Sequence, residues 1–254
     1  MLPSDQLDRI SVVLVSPRNP LNIGAVARAM ANFGLSQLTA VAPFEPHWRE
    51  ARSAVGAESL LQNARSTQCL AEAVRQCTLV LGTGTLAHRK PEQRVVQLPE
   101  LAPLVGDELE HGGRVALLFG PEKHGLTRDD LSYCHLLVEI PTHPSQPSMN
   151  LGQAAAVCLY ELSTRVPAPA PASPVKQDPP ATSGSLDALA DLIEQTMVAA
   201  NYSPRLMRPA NRHDLGLLLR RLNLRPADLR RALGLFRRIL WRLSARAKPN
   251  HLPK

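Results

Sequence analysis

Five runs of consecutive apolar residues punctuate the first two thirds of the chain, at positions 10–15, 38–42, 78–81, 115–119 and 136–140. They are rich in Val, Leu and Ile and do not alternate with polar residues, which predicts strands buried on both faces of a parallel sheet. Between them the spacing turns helical. A turn at 16–20 leads into a helix reaching residue 30, with Asn22 as its expected N-cap, Ala25, Ala29 and Met30 on the packed side, and Arg28 pointing away from it. Positions 48–63 read as loose and partly helical, and 70–76 as a short helix. The helical spacing of 98–110 is expected to be interrupted by Pro103. Thr127 caps a helix with Asp129 and Asp130 in its first turn, and 151–165 forms the last helix, apolar at Ala154, Ala155, Val157, Cys158 and Leu162. Strands alternating with helices predict an α/β fold whose ligand site lies at the carboxyl ends of the strands.

Beyond this pattern, the nineteen residues 166–184 hold six prolines and no apolar periodicity, the mark of an extended, semi-rigid linker. After it the helical period returns three times, at Leu186, Leu189, Ala190, Ile193 and Met197, then Leu215, Leu218, Leu219 and Leu222, then Leu229, Leu233, Phe236, Leu240 and Leu243. The chain therefore divides into an α/β domain (1–165), a linker (166–184) and a small three-helix unit (185–254).

Charge changes the picture of the last unit. The net +7 of the 254 residues is uneven: residues 185–254 carry 14 Lys plus Arg against 5 Asp plus Glu, and residues 1–184 carry 15 against 17. Arg230, Arg231, Arg237, Arg238 and Arg242 recur at steps of seven and four, a stripe opposite the leucines of the last helix. This asymmetry suits a nucleic acid; the alternative is a solvated basic bundle. The four cysteines have no C-x-x-C pairing and no histidine at ligand spacing, so they read as buried thiols, with neither zinc nor a disulfide framework expected. No signal-like start and no membrane-length apolar segment is present, which makes a cytoplasmic protein the expectation.

Three loops at strand ends carry the candidate chemistry. Gly82-Thr83-Gly84-Thr85 opens like a dinucleotide-binding fingerprint, but position 87 is alanine and His88-Arg89-Lys90-Pro91 breaks the pattern. With no acidic residue at the end of a second strand, a nicotinamide-dependent oxidoreductase is disfavoured. The second loop is Gly120-Pro121-Glu122-Lys123-His124-Gly125. The third runs from Ile140 through Pro141, Pro144 and Pro147 to Ser148-Met149-Asn150, stiffened by its prolines and ending where Ser148 or Asn150 caps the next helix. Asn22 and Glu122 read either as wholly structural groups or as residues that hold Arg28 and the third loop in place. His124 and His143 lie in the same loops and are not assigned to catalysis.

Asn22-x-Gly24-x-x-x-Arg28, Leu118-Phe119-Gly120-x-Glu122-x-x-Gly125-Leu126, and Ile140-Pro141 with Ser148-Met149-Asn150-Leu151 resemble, in order, the three motifs of the SPOUT methyltransferases, in the TrmH-like branch of ribose 2′-O-methyltransferases. The tail is similar to the C-terminal extension of the tRNA (cytidine/uridine-2′-O-)-methyltransferases in that branch. The resemblance implies a trefoil knot made by the last strand and helix of the α/β domain, an obligate homodimer, and S-adenosylmethionine held by the knot loops. It implies cofactor contacts at Thr83, Gly84, Thr85, Gly120, Ile140, Pro147, Ser148 and Met149, and catalysis centred on Arg28, with Asn22, Glu122, Ser148 and Asn150 as further candidate catalytic residues. The substrate it implies is tRNA, methylated on a cytidine or uridine ribose at position 32 of the anticodon loop. The rivals are another tRNA nucleotide or rRNA as substrate, and a knotted RNA-binding protein without activity. Because guanidinium stays protonated, Arg28 is expected to clamp a phosphate and stabilise the developing alkoxide, leaving proton removal to a phosphate oxygen or water.

Overall fold

The computed structural model describes residues 2–84, 91–165, 179–202, 204 and 207–246. Its elements follow the chain as α1 (Ser4–Leu7), β1 (Ile10–Val15), α2 (Pro20–Asn32), β2 (Gln37–Val41), a 3-10 turn (Trp48–Glu50), α3 (Glu58–Asn63), β3 (Arg65–Thr67), α4 (Leu70–Val74), β4 (Leu79–Thr83), β5 (Arg94–Gln97), a second 3-10 turn (Leu98–Glu100), α5 (Leu101–Glu110), β6 (Val115–Phe119), α6 (Arg128–Leu131), β7 (Leu136–Glu139), α7 (Leu151–Arg165), α8 (Ser183–Ala199), α9 (Arg208–Arg221) and α10 (Pro226–Arg246).

The seven strands form one sheet in the order β3-β2-β1-β6-β4-β7-β5, and every pairing is parallel. Successive side chains of a strand point to opposite faces, so β1 supplies Val12 and Leu14 to one core and Val13 and Val15 to the other. The first core packs under α2, α3, α5 and α7 and includes Trp48, Met30 and Phe119; the second lies under α4 with Leu70 and Val74. Burial on both faces explains the continuous apolar runs.

β3 and β5 do not carry such a run. They are the two edge strands, and their residues are mostly exposed. Pro103 does not interrupt α5, because it falls in the first turn, where its missing N–H would have no intrahelical partner. α2 is capped by Asn19, whose side chain accepts from the Leu21 N–H at 3.0 Å, with Pro20 at the first helical position; Asn22, the expected cap, lies inside the helix. Of the cysteines, Cys77, Cys134 and Cys158 are buried and Cys69 is exposed, against the expectation that all four are buried. Burial pushes the buried thiols up, to about 11 for Cys77 and about 12 for Cys134 and Cys158, so they are poor nucleophiles.

After α7 the described chain resumes at Pro179. Thr182 caps α8, which begins at Ser183, three residues ahead of the first apolar position read from the sequence. α8, α9 and α10 share a small core of Leu186, Leu189, Leu219 and Leu229 with Phe236 against it. They also dock on the α/β part. The Ser183 and Gly184 N–H groups donate to the carbonyls of Cys77 and Arg75, and buried Arg220 donates to the Tyr133 carbonyl at 3.1 Å while pairing with Asp187 at 3.0 Å. Arg220 also lies over the Tyr133 ring, 5.3 Å from its centroid. Among the described residues, no helix is long and apolar enough to cross a membrane.

Candidate active site

β4, β6 and β7 are adjacent in the sheet and parallel, so their carboxyl ends, and the loops that leave them, share one rim. The three loops close there around a cavity of about 240 Å³. Of the residues assigned to the cofactor, Thr83, Gly84, Gly120, Ile140, Pro147, Ser148 and Met149 all line it; Thr85 lies outside the described residues. The lining combines apolar residues, Phe119, Ile140, Leu151 and Ala154, with polar ones, Glu122, Lys123, His124 and Thr142. A cleft of this kind suits a ligand that is part flat apolar ring and part charged chain.

Each loop is locked by its own local chemistry. Thr83 is buried and its hydroxyl donates to the Leu118 carbonyl at 2.8 Å, joining the ends of β4 and β6. Gly120 admits no side chain: a Cβ there would lie 2.2 Å from the Leu126 nitrogen. The 120–126 loop doubles back on it, with the Gly125 N–H donating to the Pro121 carbonyl at 2.8 Å and Gly125 at φ 65°. In the third loop the Thr142 hydroxyl donates to the Pro147 carbonyl at 3.2 Å, and the Gln146 N–H to the His143 carbonyl at 2.8 Å, so the prolines frame a closed turn.

A short hydrogen-bond chain ties this third loop to the second and to α2. Asn150 caps α7, its Oδ1 accepting from the Gly152 N–H at 2.9 Å, and its Nδ2 donates to Asn22 Oδ1 at 3.0 Å. Asn22 Nδ2 in turn donates to Glu122 Oε1 at 2.8 Å. Glu122 also accepts from the backbone N–H groups of Asn19 at 3.2 Å and Arg18 at 3.3 Å. Partial burial by itself would raise the Glu122 carboxyl, but these hydrogen bonds, that of Asn22 foremost, outweigh it and hold the group below its ordinary range. Glu122 is therefore a fixed anion with both oxygens engaged and a poor proton acceptor. Of the two cap candidates, Asn150 fills the role, and Ser148 is among the residues that line the cavity.

Arg28 stands apart. It is exposed on α2, outside the cavity lining, and among the described residues its side chain makes no hydrogen bond or ion pair. The five arginines of the stripe are all exposed on α10, far along the chain from the cavity residues. Lys123, His124 and Thr142 line the cavity without having been assigned to it from sequence; the flanking glycines and prolines of their loops were the available signal.

Residues 9–160 match the model of the SpoU rRNA Methylase family. The chain is 34% identical over 239 residues to a tRNA (cytidine/uridine-2′-O-)-methyltransferase TrmJ of Pectobacterium atrosepticum, an alignment covering 92% of this chain and 96% of that one. It is 44% identical over 157 residues to a tRNA (cytidine/uridine/adenosine-2′-O-)-methyltransferase TrmJ of Pseudomonas aeruginosa, where the match spans 61% of each chain. Among solved structures, that of TrmJ from Z. mobilis superposes with a TM-score of 0.78 at 31% identity, covering 90% of this chain and 98% of that one. The motif order, the parallel sheet and the near full-length alignment agree: the chain belongs to the SpoU methylase family, and within it to the family of these TrmJ relatives.

Proposed function

We propose that the protein transfers a methyl group from S-adenosylmethionine to the ribose 2′-hydroxyl of a cytidine or uridine in tRNA, at position 32 of the anticodon loop. The observation that carries this reading is the closure of three strand-end loops on one cavity, lined by seven of the eight residues assigned to the cofactor, in a chain aligned over 92% of its length with a tRNA ribose methyltransferase. The cavity fits the cofactor: Gly120 leaves room where any side chain would collide, the apolar lining residues suit adenine, and the polar ones suit the amino-acid end. When bound, S-adenosylmethionine supplies an electrophilic sulfonium methyl.

The chain's residues then have distinct tasks. Thr83, Gly84, Gly120, Ile140, Pro147, Ser148 and Met149 hold the cofactor. Asn22, Glu122 and Asn150 are positioning residues, because their hydrogen bonds fix the third loop against α2 and leave no free acceptor for a proton. Arg28, exposed and free of partners among the described residues, is available to clamp the phosphate beside the target ribose and to stabilise the developing alkoxide. Its guanidinium cannot accept the proton, which passes to a phosphate oxygen or water.

Two further features belong to this reading. β7 enters the sheet between β4 and β5, a slot left open by the earlier connection, and α7 then packs back on α2 and α5; this path supports a trefoil knot at the cavity. Leu21 and Tyr160 are exposed on α2 and α7, the helices that pack together and of which α2 carries Arg28, and these apolar groups support a homodimer that brings Arg28 of one subunit to the substrate of the other. The basic tail, residues 185–254, acts as the tRNA grip, and a compartment rich in tRNA, the cytoplasm, is where we place the protein. The stripe of five arginines gives a log–log salt slope of about −4 at roughly 0.7 to 0.9 per phosphate.

The test is calorimetric titration of S-adenosylmethionine combined with turnover of unmodified tRNA. Wild type binds and turns over; Arg28→Lys keeps cofactor and tRNA affinity but loses most turnover. Full activity of Arg28→Lys would remove the fork geometry from the mechanism, and absence of cofactor binding in wild type would overturn the whole reading.

A further inference from the structure

The outer surface of α10 is more than a stripe of charge. Arg230, Gly234, Arg237 and Trp241 follow one another at helical steps of four, three and four, and Arg231, Arg238 and Arg242 form a parallel row beside them. Trp241 takes a place in the first row that the spacing would give to another arginine. Trp241 is 54% exposed, whereas the other tryptophan of the chain, Trp48, is 2% exposed. The Arg238 guanidinium lies over the Trp241 ring at 4.5 Å from its centroid and that of Arg242 at 5.8 Å. Cations against an indole orient and stiffen it, and the exposure of Trp241 shows that part of the residue still meets solvent.

Gly234 adds an independent observation. It sits in the middle of an exposed helix, where glycine is unfavourable, and nothing beyond the helix's own backbone lies within 4 Å of where its Cβ would be. Packing in this chain does not require the gap. A gap between two arginines on a helix surface lets a ligand's backbone approach closely, one turn or two from a stacking ring.

From this we infer that Trp241, steadied by Arg238 and Arg242, is a stacking site for one unpaired base of a single-stranded RNA segment whose phosphates run along the arginine rows. The inference rests on the proposed tRNA-gripping role of this tail and adds to it a contact that phosphate neutralisation does not supply. The charge favours this occupant: Asp228, paired with Arg231 at 3.4 Å, is the one acidic residue of α10, and residues 185–254 as a whole carry 14 Lys plus Arg against 5 Asp plus Glu. A base stacked on an aromatic ring contributes sequence-tolerant affinity, whereas the arginines contribute the salt dependence.

The two tryptophans make the test direct. Full-length protein is titrated with a short oligouridine strand and with the same strand in a blunt duplex, following tryptophan fluorescence and, separately, anisotropy of labelled RNA over a range of salt. The single strand quenches the exposed tryptophan, the duplex quenches it far less, and the emission of buried Trp48 persists in all variants. Trp241→Ala weakens single-strand binding roughly five- to 150-fold with its salt slope unchanged, and Trp241→Phe recovers much of the loss. Salt-dependent binding by wild type with no quenching, or with equal affinity in Trp241→Ala, overturns the stacking site and leaves the phosphate grip standing. Absence of salt-dependent RNA binding in wild type overturns both. A change of Trp241→Ala from a larger to a smaller species on gel filtration, with RNA affinity retained, shows that the ring covers a protein interface and also overturns the inference.

Discussion

The Asn150–Asn22–Glu122 chain offers a prediction whose size follows from the geometry. Asn22→Ala removes two hydrogen bonds, one of 2.8 Å to the ionised Glu122 and one of 3.0 Å from Asn150. A bond to a charged group contributes about 1.5–3 kcal/mol and a neutral one about 0.5–1.5 kcal/mol, and solvent access at this half-exposed site lowers both. We therefore expect a loss of about 1–3 kcal/mol, felt in the position of the third loop, which is roughly five- to 150-fold in kcat/KM. Asn150→Ala loses the same neutral bond and also the cap on α7, about 1 kcal/mol. Because the residues share one bond, the double variant should fall short of the sum by about 0.5–1 kcal/mol. The assay is methyl incorporation into unmodified tRNA for the four proteins, with calorimetric cofactor binding alongside. Strict additivity, or Asn22→Ala within twofold of wild type, would refute the claim that this chain positions the loop.

Other perturbations test separate parts of the account. Gly120→Ala places a Cβ 2.2 Å from the Leu126 nitrogen, so calorimetry should show cofactor binding lost while thermal unfolding confirms a folded protein. His135 is partly buried, its Nδ1 accepts from the Val80 N–H at 3.1 Å, and desolvation, helped by the charge of Arg220, lowers it to about 3. The folded state refuses a proton that the unfolded state takes, so stability present above pH ~6.5 is lost as pH falls toward ~3, approaching about 1.4 kcal/mol per unit. Urea titrations over that range measure it, and His135→Asn should flatten the slope. Arg220→Met leaves Asp187 without its buried partner and removes the anchor to Tyr133, at a cost of about 3–5 kcal/mol, read as early unfolding of α8–α10 by hydrogen exchange. Gly234→Ala should raise thermal stability by about 0.5–1 kcal/mol, since glycine there serves no contact within the fold.

The sequence carried the centre of the fold because that centre is buried on both faces. β1, β6 and α7 have the boundaries that their apolar runs and caps predict. β3 and β5 escaped because an edge strand, solvated along one side and short, has no continuous apolar run; Arg65–Thr67 and Arg94–Gln97 are mostly polar. Asn19 and Asn22 are equally good caps by residue type, and it is Pro20, with its preference for the first helical position, that selects the residue before it as the cap of α2. The convergence of the three loops was legible from strand-end logic together with the motifs, but the hydrogen-bond chain that joins them was not. Asn22 and Glu122 are 100 positions apart and Asn22 and Asn150 are 128 apart, and no local pattern reports such a contact. The solvent-facing arginines of α10 were visible as a period, whereas the place of Trp241 in the same rows became visible only once its exposure and its arginine neighbours were known.

The proposed methylation of a tRNA ribose is tested by locating the transferred methyl group on the RNA. Purified protein is incubated with methyl-labelled S-adenosylmethionine and an unmodified tRNA transcript, the RNA is digested, and the 2′-O-methyl nucleotide is located by mass spectrometry, with Arg28→Ala as the control. The account predicts a single label on the pyrimidine at position 32, absent with Arg28→Ala although cofactor still binds. Label confined to another nucleotide, label accepted only by ribosomal RNA, or equal incorporation by Arg28→Ala would contradict it.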